Sequence, residues 1–410
     1  MTGPNVKSAA SVVPLLSTAL HRIRATPPRI ISSPATQPRR AAVALIIRIT
    51  PSLSNPPPPQ APSLPQPTLT EFFAQDWVND PDVTAEILFL RREQPDSECV
   101  AQNKPRNTAD AHVAFPGGRM EEGDEGGLYT AMRQTWEEIG LDLAEKDFMC
   151  IGQLDDREIT TSLGKRLLMI LSPFVFLQVS PIPPPTDPAE GTVLHWIPLA
   201  SLLASTTSPR RDRHRWSSVT VDVSSRLAPR HSTVLRLIVR MLVGSMQFNA
   251  IRLDPLNPTS PLEEKDVGAW GKRPEKTRDL KLWGLSLGMT LDLLAHMNPS
   301  SSDFLADYPR DEISAMATNI APSMTSVFPR FSYPDVNFWI WVFGKRYRQV
   351  VRGWEASLRG GGANDKRINW SGTALNTFYA AVRKALIVVI VLRAIGILLA
   401  IGIGGWWVFL

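Results

Sequence analysis

The chain has 410 residues, of which 43% are hydrophobic, and its formal net charge is +5. This length can hold two or three domains, and the apolar content excludes a chain that is disordered throughout. The two cysteines, Cys99 and Cys150, exclude a disulfide scaffold and a cysteine-rich zinc site, and they indicate a reducing compartment.

The start of the chain is basic. Residues 1–70 carry seven lysines or arginines and no aspartate or glutamate. Such a segment is usually a solvated tail, although a transit peptide or a segment that contacts a membrane surface has the same composition. Residues 1–38 are therefore expected to form a basic, flexible segment.

The first predicted elements are two strands and a helix. The aliphatic runs at residues 41–49 and 85–90 are typical of strands. The proline-rich stretch 51–83 between them predicts an insertion, because structureless loops of that length are rare inside compact cores. Leu128, Met132 and Ile139 recur near the helical period, and they predict a helix that Gly140 ends.

Further strands and helices follow in alternation. Strands are expected at residues 148–154, 166–179, 192–197, 248–253 and 281–287, and helices at 198–203, 233–246 and 288–297. Residues 205–232, rich in serine, threonine and arginine, are expected to form a polar insertion, and the Asn-Pro-Ser run from residue 298 to end the domain. This mixture predicts an α/β or α+β sandwich.

The chemistry is concentrated between Phe115 and Leu141. A Phe-Pro-Gly-Gly turn precedes the predicted helix, which carries Gln134, Glu137 and Glu138. These three positions are three or four residues apart, so their side chains share one helix face. Carboxylate oxygens are ligands that Mg²⁺ prefers, and a glycine turn lets backbone approach a phosphate closely. The pattern therefore predicts a divalent metal site beside a phosphate group.

This stretch resembles the Nudix box, which it matches at Glu125, Arg133, Glu137, Glu138, Gly140 and Leu141, with the box glycine one place early at Gly118. The resemblance implies a Nudix α/β/α sandwich with a mixed sheet over residues 39–298. It also implies hydrolysis of the diphosphate bond in a nucleoside diphosphate derivative, with Mg²⁺ or Mn²⁺ as cofactor. The implied roles are metal binding by Glu137, Glu138 and Gly118, substrate binding by Gly117, Gly118 and Arg119, bracing of the box by Arg133 with Glu125 and by Gly140, and catalysis by Glu137, Glu138, Gln134 and Glu190.

One position departs from the family pattern, because Gln134 stands where the family has glutamate. A carboxamide carries no charge and cannot act as a base near neutral pH. A second hypothesis is therefore a catalytically weakened Nudix module that binds its ligand beside a membrane. The carboxylates that could replace the missing one are Glu121, Glu122, Asp124, Asp155, Asp156 and Glu190.

Other segments resemble the branch of Nudix enzymes that cleaves coenzyme A and its relatives. These are the Phe-Pro-Gly-Gly turn with Asp124 before Glu125, and the segments 173–175, 196–199 and 282–287. Upstream, residues 90–92 and 111–114 match that branch only loosely. The resemblance implies coenzyme A or acyl-coenzyme A as the substrate.

The C-terminal segment 385–410 is apolar except for Arg393, and it predicts a membrane anchor that follows a juxtamembrane region at 299–384. Residues 394–410 alone form a helix of about 25 Å, close to the shortest length that spans a bilayer. With the preceding residues included, Arg393 must snorkel, pair or mark the start of the span. A buried C-terminal helix and an in-plane anchor are the alternatives.

The flanks of this segment favour a membrane orientation. Trp406 and Trp407 suit the interfacial region, and Arg383 with Lys384 suits a cytosolic flank. Residues 338–343 are too short to span, and they either dip into the interface or pack on the folded domain. A cytosol-facing domain is expected, on a peroxisomal, mitochondrial or endoplasmic reticulum membrane. Nothing in the sequence favours a nucleic-acid partner.

Overall fold

The computed structural model describes residues 12–33, 39–52, 54–57, 65–92, 111–160, 167–203, 216–222, 232–253, 280–297, 328–359 and 375–409. The helices are α1 (Val13–Ala25), α2 (Leu69–Phe73), α3 (Gly127–Ile139), α4 (Leu199–Leu202), α5 (Thr233–Val243), α6 (Gly284–His296), α7 (Pro334–Phe343), α8 (Lys345–Arg359) and α9 (Leu375–Phe409). The strands are β1 (Arg40–Thr50), β2 (Thr84–Arg92), β3 (Ala111–Ala114), β4 (Gly117–Arg119), β5 (Phe148–Gln153), β6 (Arg157–Thr160), β7 (Leu167–Gln178), β8 (Thr192–Pro198), β9 (Trp216–Asp222), β10 (Ser245–Leu253), β11 (Leu280–Trp283) and β12 (Arg330–Phe331).

The strands form one mixed sheet with β1 near its centre. β1 pairs in parallel with β7 and in antiparallel fashion with β2 and β4. β5 and β6 extend the sheet beyond β7, and β8 pairs with β2. On the other side, β3 joins β11 in parallel, and β10 follows with β9 and β12. The strands predicted at residues 41–49, 85–90, 148–154 and 192–197 all lie in this sheet.

Helices cover the sheet on both faces. Ala42, Ala44 and Ile46 of β1 point into a core that α3 covers, whereas Leu45 and Ile47 point into a second core that α1, α2 and α6 cover. A strand covered on both faces reads as a continuous apolar run, which explains why β1 lacks polar alternation. The described residues thus form an α/β/α sandwich with a mixed sheet, as predicted.

The basic N-terminal segment differs from the expectation of a flexible tail. Residues 13–25 form α1, whose Leu16, Leu20 and Ile23 are buried against β5 and α6. The apolar residues of α1 recur at helical spacing and are buried on one face of the helix, and its arginines lie beside that face. Charge counting missed this amphipathic pattern.

Two predicted insertions also contain folded elements. Residues 216–222 of the expected polar insertion form β9, which pairs with β10, because β10 leaves an edge that a Ser/Thr-rich strand can occupy. The proline-rich stretch 51–83 contains α2, capped by Thr68 and Glu71, with Phe72 and Trp77 buried in the core. The predicted helix at 233–246 ends earlier, at Gly244, and the helix predicted from 288 begins at Gly284.

The C-terminal helices form a smaller core of their own. Val336 and Ile340 of α7 pack on Phe378, Val382 and other apolar residues in the first half of α9, together with the end of α5. Apart from the half-buried Arg393, the described side chains in the second half of α9 are exposed. Among the described residues, Thr377–Gly404 is one helix long and apolar enough to cross a membrane, and 11% of its most apolar window is buried.

Candidate active site

The site begins at a glycine corner between β3 and β4. Phe115 is buried against Phe89, with ring centroids 4.8 Å apart, and the carbonyl of Pro116 accepts a hydrogen bond from the Ala44 amide at 2.9 Å. Gly117 has φ +144°, and a Cβ there would lie 2.3 Å from the Ala42 carbonyl oxygen. Only glycine fits this position, since a side chain would collide with the central strand.

The helix α3 brings the box residues to this corner. Ala131, Thr135 and Ile139 recur every four residues and are buried, and the helix packs against β1 and β4. Gly140 ends the helix with φ +69°, and its amide donates to the Trp136 carbonyl. The predicted helix and its C-cap are confirmed.

Glu138 lies directly against the corner. Its Oε2 accepts a hydrogen bond from the Gly117 amide at 3.4 Å, and its carboxylate is 14% exposed. Arg92, the last residue of β2, donates from Nε to Oε1 and from Nη2 to Oε2 of Glu138. This hydrogen-bonded pair raises the pKa of Arg92. Glu138 is therefore a carboxylate held by Arg92 beside backbone that carries no side chain.

Gln134 and Glu137 lie one helical turn apart on α3, and their side chains contact each other. Gln134 Nε2 donates to Glu137 Oε2 at 2.9 Å, and Arg133 Nη1 donates to both oxygens of Glu137 at 3.0 and 3.2 Å. The side chain of Glu137 is 51% exposed. Gln134 Oε1 lies against Gly118, where a Cβ would be 2.1 Å away. Gln134 thus fills the space that the small residue at 118 leaves.

Arg133 braces the loop before the helix, but its partner is Asp124 and not Glu125. Arg133 donates from Nε and Nη2 to the two Asp124 oxygens, both at 2.8 Å. Asp124 is 3% exposed and also accepts from Thr130 Oγ1 and the Glu121 amide. These bonds, Arg133 above all, hold the pKa of Asp124 far below its usual value. Glu125 is exposed, because the buried position of this turn falls on the residue before it.

The other candidate carboxylates lie elsewhere. Asp156 is buried and accepts four hydrogen bonds, from the Ile31 amide, Arg40, Gln153 and Ser172, so its role is to hold the segment before β1. Asp155 accepts a bond from the Arg29 amide. Neither is available as a catalytic group at the corner, since both are used to fix the N-terminal segment.

Three acidic residues remain near the site. Glu121 and Glu122 are exposed, and Glu121 lies 3.5 Å from Arg133 Nη1. Glu190 is exposed on the loop before β8, and this loop meets α3 through a bond from the Ala189 amide to the Glu138 carbonyl at 2.9 Å. Arg119 is exposed, and its carbonyl accepts from Arg133 Nη2 at 3.3 Å. Glu190 is thus brought close to the end of the box helix.

The donor chemistry of this corner fits a hard divalent cation. Glu137, Glu138 and Gln134 Oε1 offer only oxygen, with two negative charges, which suits Mg²⁺ or Mn²⁺ together with water and phosphate oxygens. Within the described residues no three His, Cys, Asp or Glu side chains already converge on a point. The corner itself contributes two acids and Gln134, and a cation must compete with Arg92 for Glu138 and with Arg133 for Glu137.

Sequence reasoning missed the role of Arg92 and gave Asp124 a different role from the one it has. Arg92 was visible only as part of an arginine pair at the end of a strand, and sequence spacing does not show that β2 ends beside α3. Asp124 was named as a possible replacement acid, whereas it is a structural partner of Arg133. A prediction of strand pairing between β2, β3 and β1 would have found the first.

One family model and two known proteins are similar to this chain. Residues 80–216 match the family model described as NUDIX domain. A protein of Schizosaccharomyces pombe described as uncharacterized is 27% identical over 379 residues, which are 91% of this chain and 92% of that protein. A solved structure described as a MutT/nudix family protein from Enterococcus faecalis aligns over 68% of this chain and 73% of its own, with 11% identity and a TM-score of 0.27.

Proposed function

We propose that this chain, which carries a Nudix domain at residues 80–216, hydrolyses the diphosphate bond of a nucleoside diphosphate derivative with the help of Mg²⁺ or Mn²⁺. The observation that carries the proposal is the position of Glu138 against the Gly117 amide, with Glu137 and Gln134 on the same helix edge. This arrangement presents anionic oxygens beside bare backbone, which is what a cation bound to a diphosphate requires.

The residues of the corner have different proposed roles in hydrolysis. Glu137, Glu138 and Gln134 Oε1 would hold the cation, which when bound neutralises the diphosphate and acts as a Lewis acid. Gly117 and Gly118 let the backbone of the corner pack closely on β1 and on Gln134, and the exposed guanidinium of Arg119 would supply positive charge for phosphate oxygens. Gln134 cannot take a proton, so the half-exposed Glu137 or the loop residue Glu190 is the candidate base.

Coenzyme A or acyl-coenzyme A is the proposed substrate. Segments 173–175, 196–199 and 282–287, which resemble the branch that cleaves coenzyme A, fall on β7, at the β8–α4 junction and at the β11–α6 junction. The two junctions follow the ends of strands, where chain turns can contact a ligand. These positions support the proposal, and the test must separate coenzyme A from other diphosphates.

The test is a substrate panel with the full-length chain in detergent micelles or lipid nanodiscs. Coenzyme A, acyl-coenzyme A, ADP-ribose, NADH and diadenosine polyphosphates are each incubated with Mg²⁺, with Mn²⁺ and with a chelator. We expect adenosine 3',5'-bisphosphate from coenzyme A only with metal, and loss of turnover in Glu138→Gln. Metal-dependent turnover of another compound would keep the hydrolase and replace the substrate, and no turnover on the panel would refute hydrolysis.

The second candidate is a catalytically weakened module that binds its ligand without cleaving it. The observation that favours it is Gln134, whose amide donates to Glu137 where the family has a carboxylate. Gln134→Glu separates the two candidates. A large gain in hydrolysis supports a weakened native site, while an unchanged rate supports another carboxylate as the base. The matched control is Gln134→Met, which has similar volume and no polar group.

We also propose that α9 anchors the domain on a membrane with the Nudix domain facing the cytosol. Thr377–Gly404 is long and apolar enough to cross a membrane, and its part after Arg393, which lies outside the small C-terminal core, is the part that would enter the bilayer. Truncation after Arg393 tests the anchor and keeps the packed first half of α9. We expect the truncated chain to be released by alkaline carbonate, whereas the full chain stays with the membrane. Retention of the truncated chain would contradict the anchor.

A further inference from the structure

The helix α5 carries an apolar stripe on its exposed side. Val234, Leu237, Ile238 and Met241 are spaced by three, four and seven residues, so they share one face, and Met241 is 67% exposed. Apolar residues at this spacing normally face a core. The core side of α5 is already occupied by Val243 and its neighbours, so the stripe is a second apolar face directed outwards.

The helix α7 carries a similar exposed surface beside it in the fold. Phe338, Trp341, Val342 and Phe343 are exposed, with Trp341 at 59%, while Val336 and Ile340 face the small C-terminal core. Arg348 of α8 donates to the Trp341 carbonyl and lies over its ring at 4.7 Å. Aromatic side chains with an arginine above them are typical of the boundary between lipid and water.

These two helices meet α9 at Arg393. Arg393 Nη1 donates to the Leu242 carbonyl at 2.5 Å, and Nη2 donates to Asp335 at 2.6 Å. Its guanidinium also lies 4.4 Å from the centroid of the Tyr333 ring. The end of α5, the start of α7 and the middle of α9 are therefore joined at one charged residue. The exposed apolar face of α9 continues from there to Trp407.

From this continuity we infer that the exposed faces of α5 and α7, here called the apolar platform, lie in the plane of the lipid bilayer that α9 enters. α5 has 11 residues and α7 has 10, or about 15 to 17 Å of helix, which is too short to span. An amphipathic helix of this length lies at the boundary of headgroups and acyl chains. The inference rests on the proposed anchoring by α9 and not on hydrolysis.

The charge around the platform selects anionic lipid as the partner. Lys345, Arg346 and Arg352 are exposed on α8, directly after Phe343, and Arg240 is exposed on α5 beside Met241. Basic residues that flank an apolar face are attracted to anionic headgroups, with about 1 kcal/mol for each residue near the surface. A lipid bilayer with anionic headgroups matches both the apolar surface of the exposed half of α9 and the basic residues around the platform, whereas a second copy of this chain would present the same basic residues.

The experiment measures the depth of single labels in the full-length chain. Cys99→Ser and Cys150→Ser remove the native thiols, and one cysteine is introduced as Leu237→Cys, Met241→Cys or Phe338→Cys. Ile182→Cys is the matched control, because Ile182 is an equally exposed apolar residue on the loop between β7 and β8. Each variant carries an environment-sensitive fluorophore in vesicles of phosphatidylcholine, with and without phosphatidylserine.

We expect the labels at 237, 241 and 338 to be quenched by nitroxide lipids and protected from aqueous iodide, and the label at 182 to behave in the opposite way. Phosphatidylserine should increase the protection. If the chain floats with vesicles but iodide reaches 237 and 241 as readily as 182, the anchor holds and the platform is refuted. If both quenchers fail to reach these labels, protein covers the face and the inference is wrong. A chain that does not float refutes both proposals.

Discussion

The two neighbouring glycines of the corner allow a sharp test of the site geometry. Gly117→Ala places a Cβ 2.3 Å from the Ala42 carbonyl oxygen and 2.6 Å from Val43 Cα, at φ +144°. Backbone strain of this kind costs on the order of 1–3 kcal/mol, and relief requires β4 to separate from the central strand. We therefore expect a loss of about 3 kcal/mol in the free energy of unfolding, near the upper end for single substitutions.

Gly118→Ala makes the same chemical change one residue later with a different result. Its Cβ would meet Gln134 Oε1 at 2.1 Å and Cδ at 2.6 Å, the far end of a side chain that can rotate. We expect a loss below about 1 kcal/mol, in the range of substitutions that meet no fixed structure. The displaced Gln134 leaves Glu137, so metal affinity should fall although the fold remains.

Urea unfolding of the full chain in detergent, followed by pulse proteolysis, measures both variants. With a slope of about 1–3 kcal/mol per molar urea, Gly117→Ala should lower the midpoint by about 1 M or more. Gly126→Ala is the control, because no atom lies within 4 Å of its added Cβ. Equal losses for Gly117→Ala and Gly118→Ala would refute the reasoning, as would a larger loss for the second.

Three further predictions concern charged and buried groups. His195 is buried on β8, and burial first, then Arg91, lowers its pKa to about 4. The unfolded chain therefore binds more protons than the folded chain between about pH 6.5 and 4. The free energy of unfolding should fall by about 2 kcal/mol from pH 7 to pH 5. His195→Phe should lose this slope in urea midpoints measured at the two pH values, and an unchanged slope would contradict the assignment. Asp124 has a lowered pKa, so its contribution to the free energy of unfolding is complete above about pH 4 and declines below it. Asp124→Asn should be less stable than the native chain at pH 7, and this difference should shrink as the pH falls below 4. A difference that stays constant would be inconsistent with the ion pair. Arg393→Leu should raise the hydrogen-exchange rates of the α7 amides, because the bonds to Asp335 and to the end of α5 are lost. Mass spectrometry measures this exchange, and Asp335→Asn should give a smaller rise. Unaltered exchange would show that the contacts of Arg393 do not order α7.

The elements that could be predicted from the sequence are those whose signal is local. β1 and β2 are continuous aliphatic runs, and α3 combines a helical period with Gly140 at its end, so their positions agree with the structure to within two residues. The arrangement of Glu137 and Glu138 on one edge follows from helix geometry alone.

The elements that could not be predicted depend on tertiary contacts. β9 is a short stretch of mixed polar and apolar residues inside a Ser/Thr/Arg-rich segment, and its pairing with β10 is not visible in the local sequence. The choice of Asp124 over Glu125 as partner for Arg133 depends on which residue the turn points inward. The pairing of Arg92 with Glu138 joins residues that are 46 positions apart in the chain. Helix and strand periodicities do not predict contacts over such a separation.

The burial of α1 has a consequence for how the protein can be processed. Leu16, Leu20 and Ile23 are part of the same core as β1 and β5, and Asp156 is saturated by Ile31 and Arg40 on the chain that follows. A protease that cut after Arg24 would remove Leu16, Leu20 and Ile23 from one face of the sheet, while Ile31 and Arg40 would stay bonded to Asp156. Such a cut would therefore uncover apolar residues of the sheet that α1 covers.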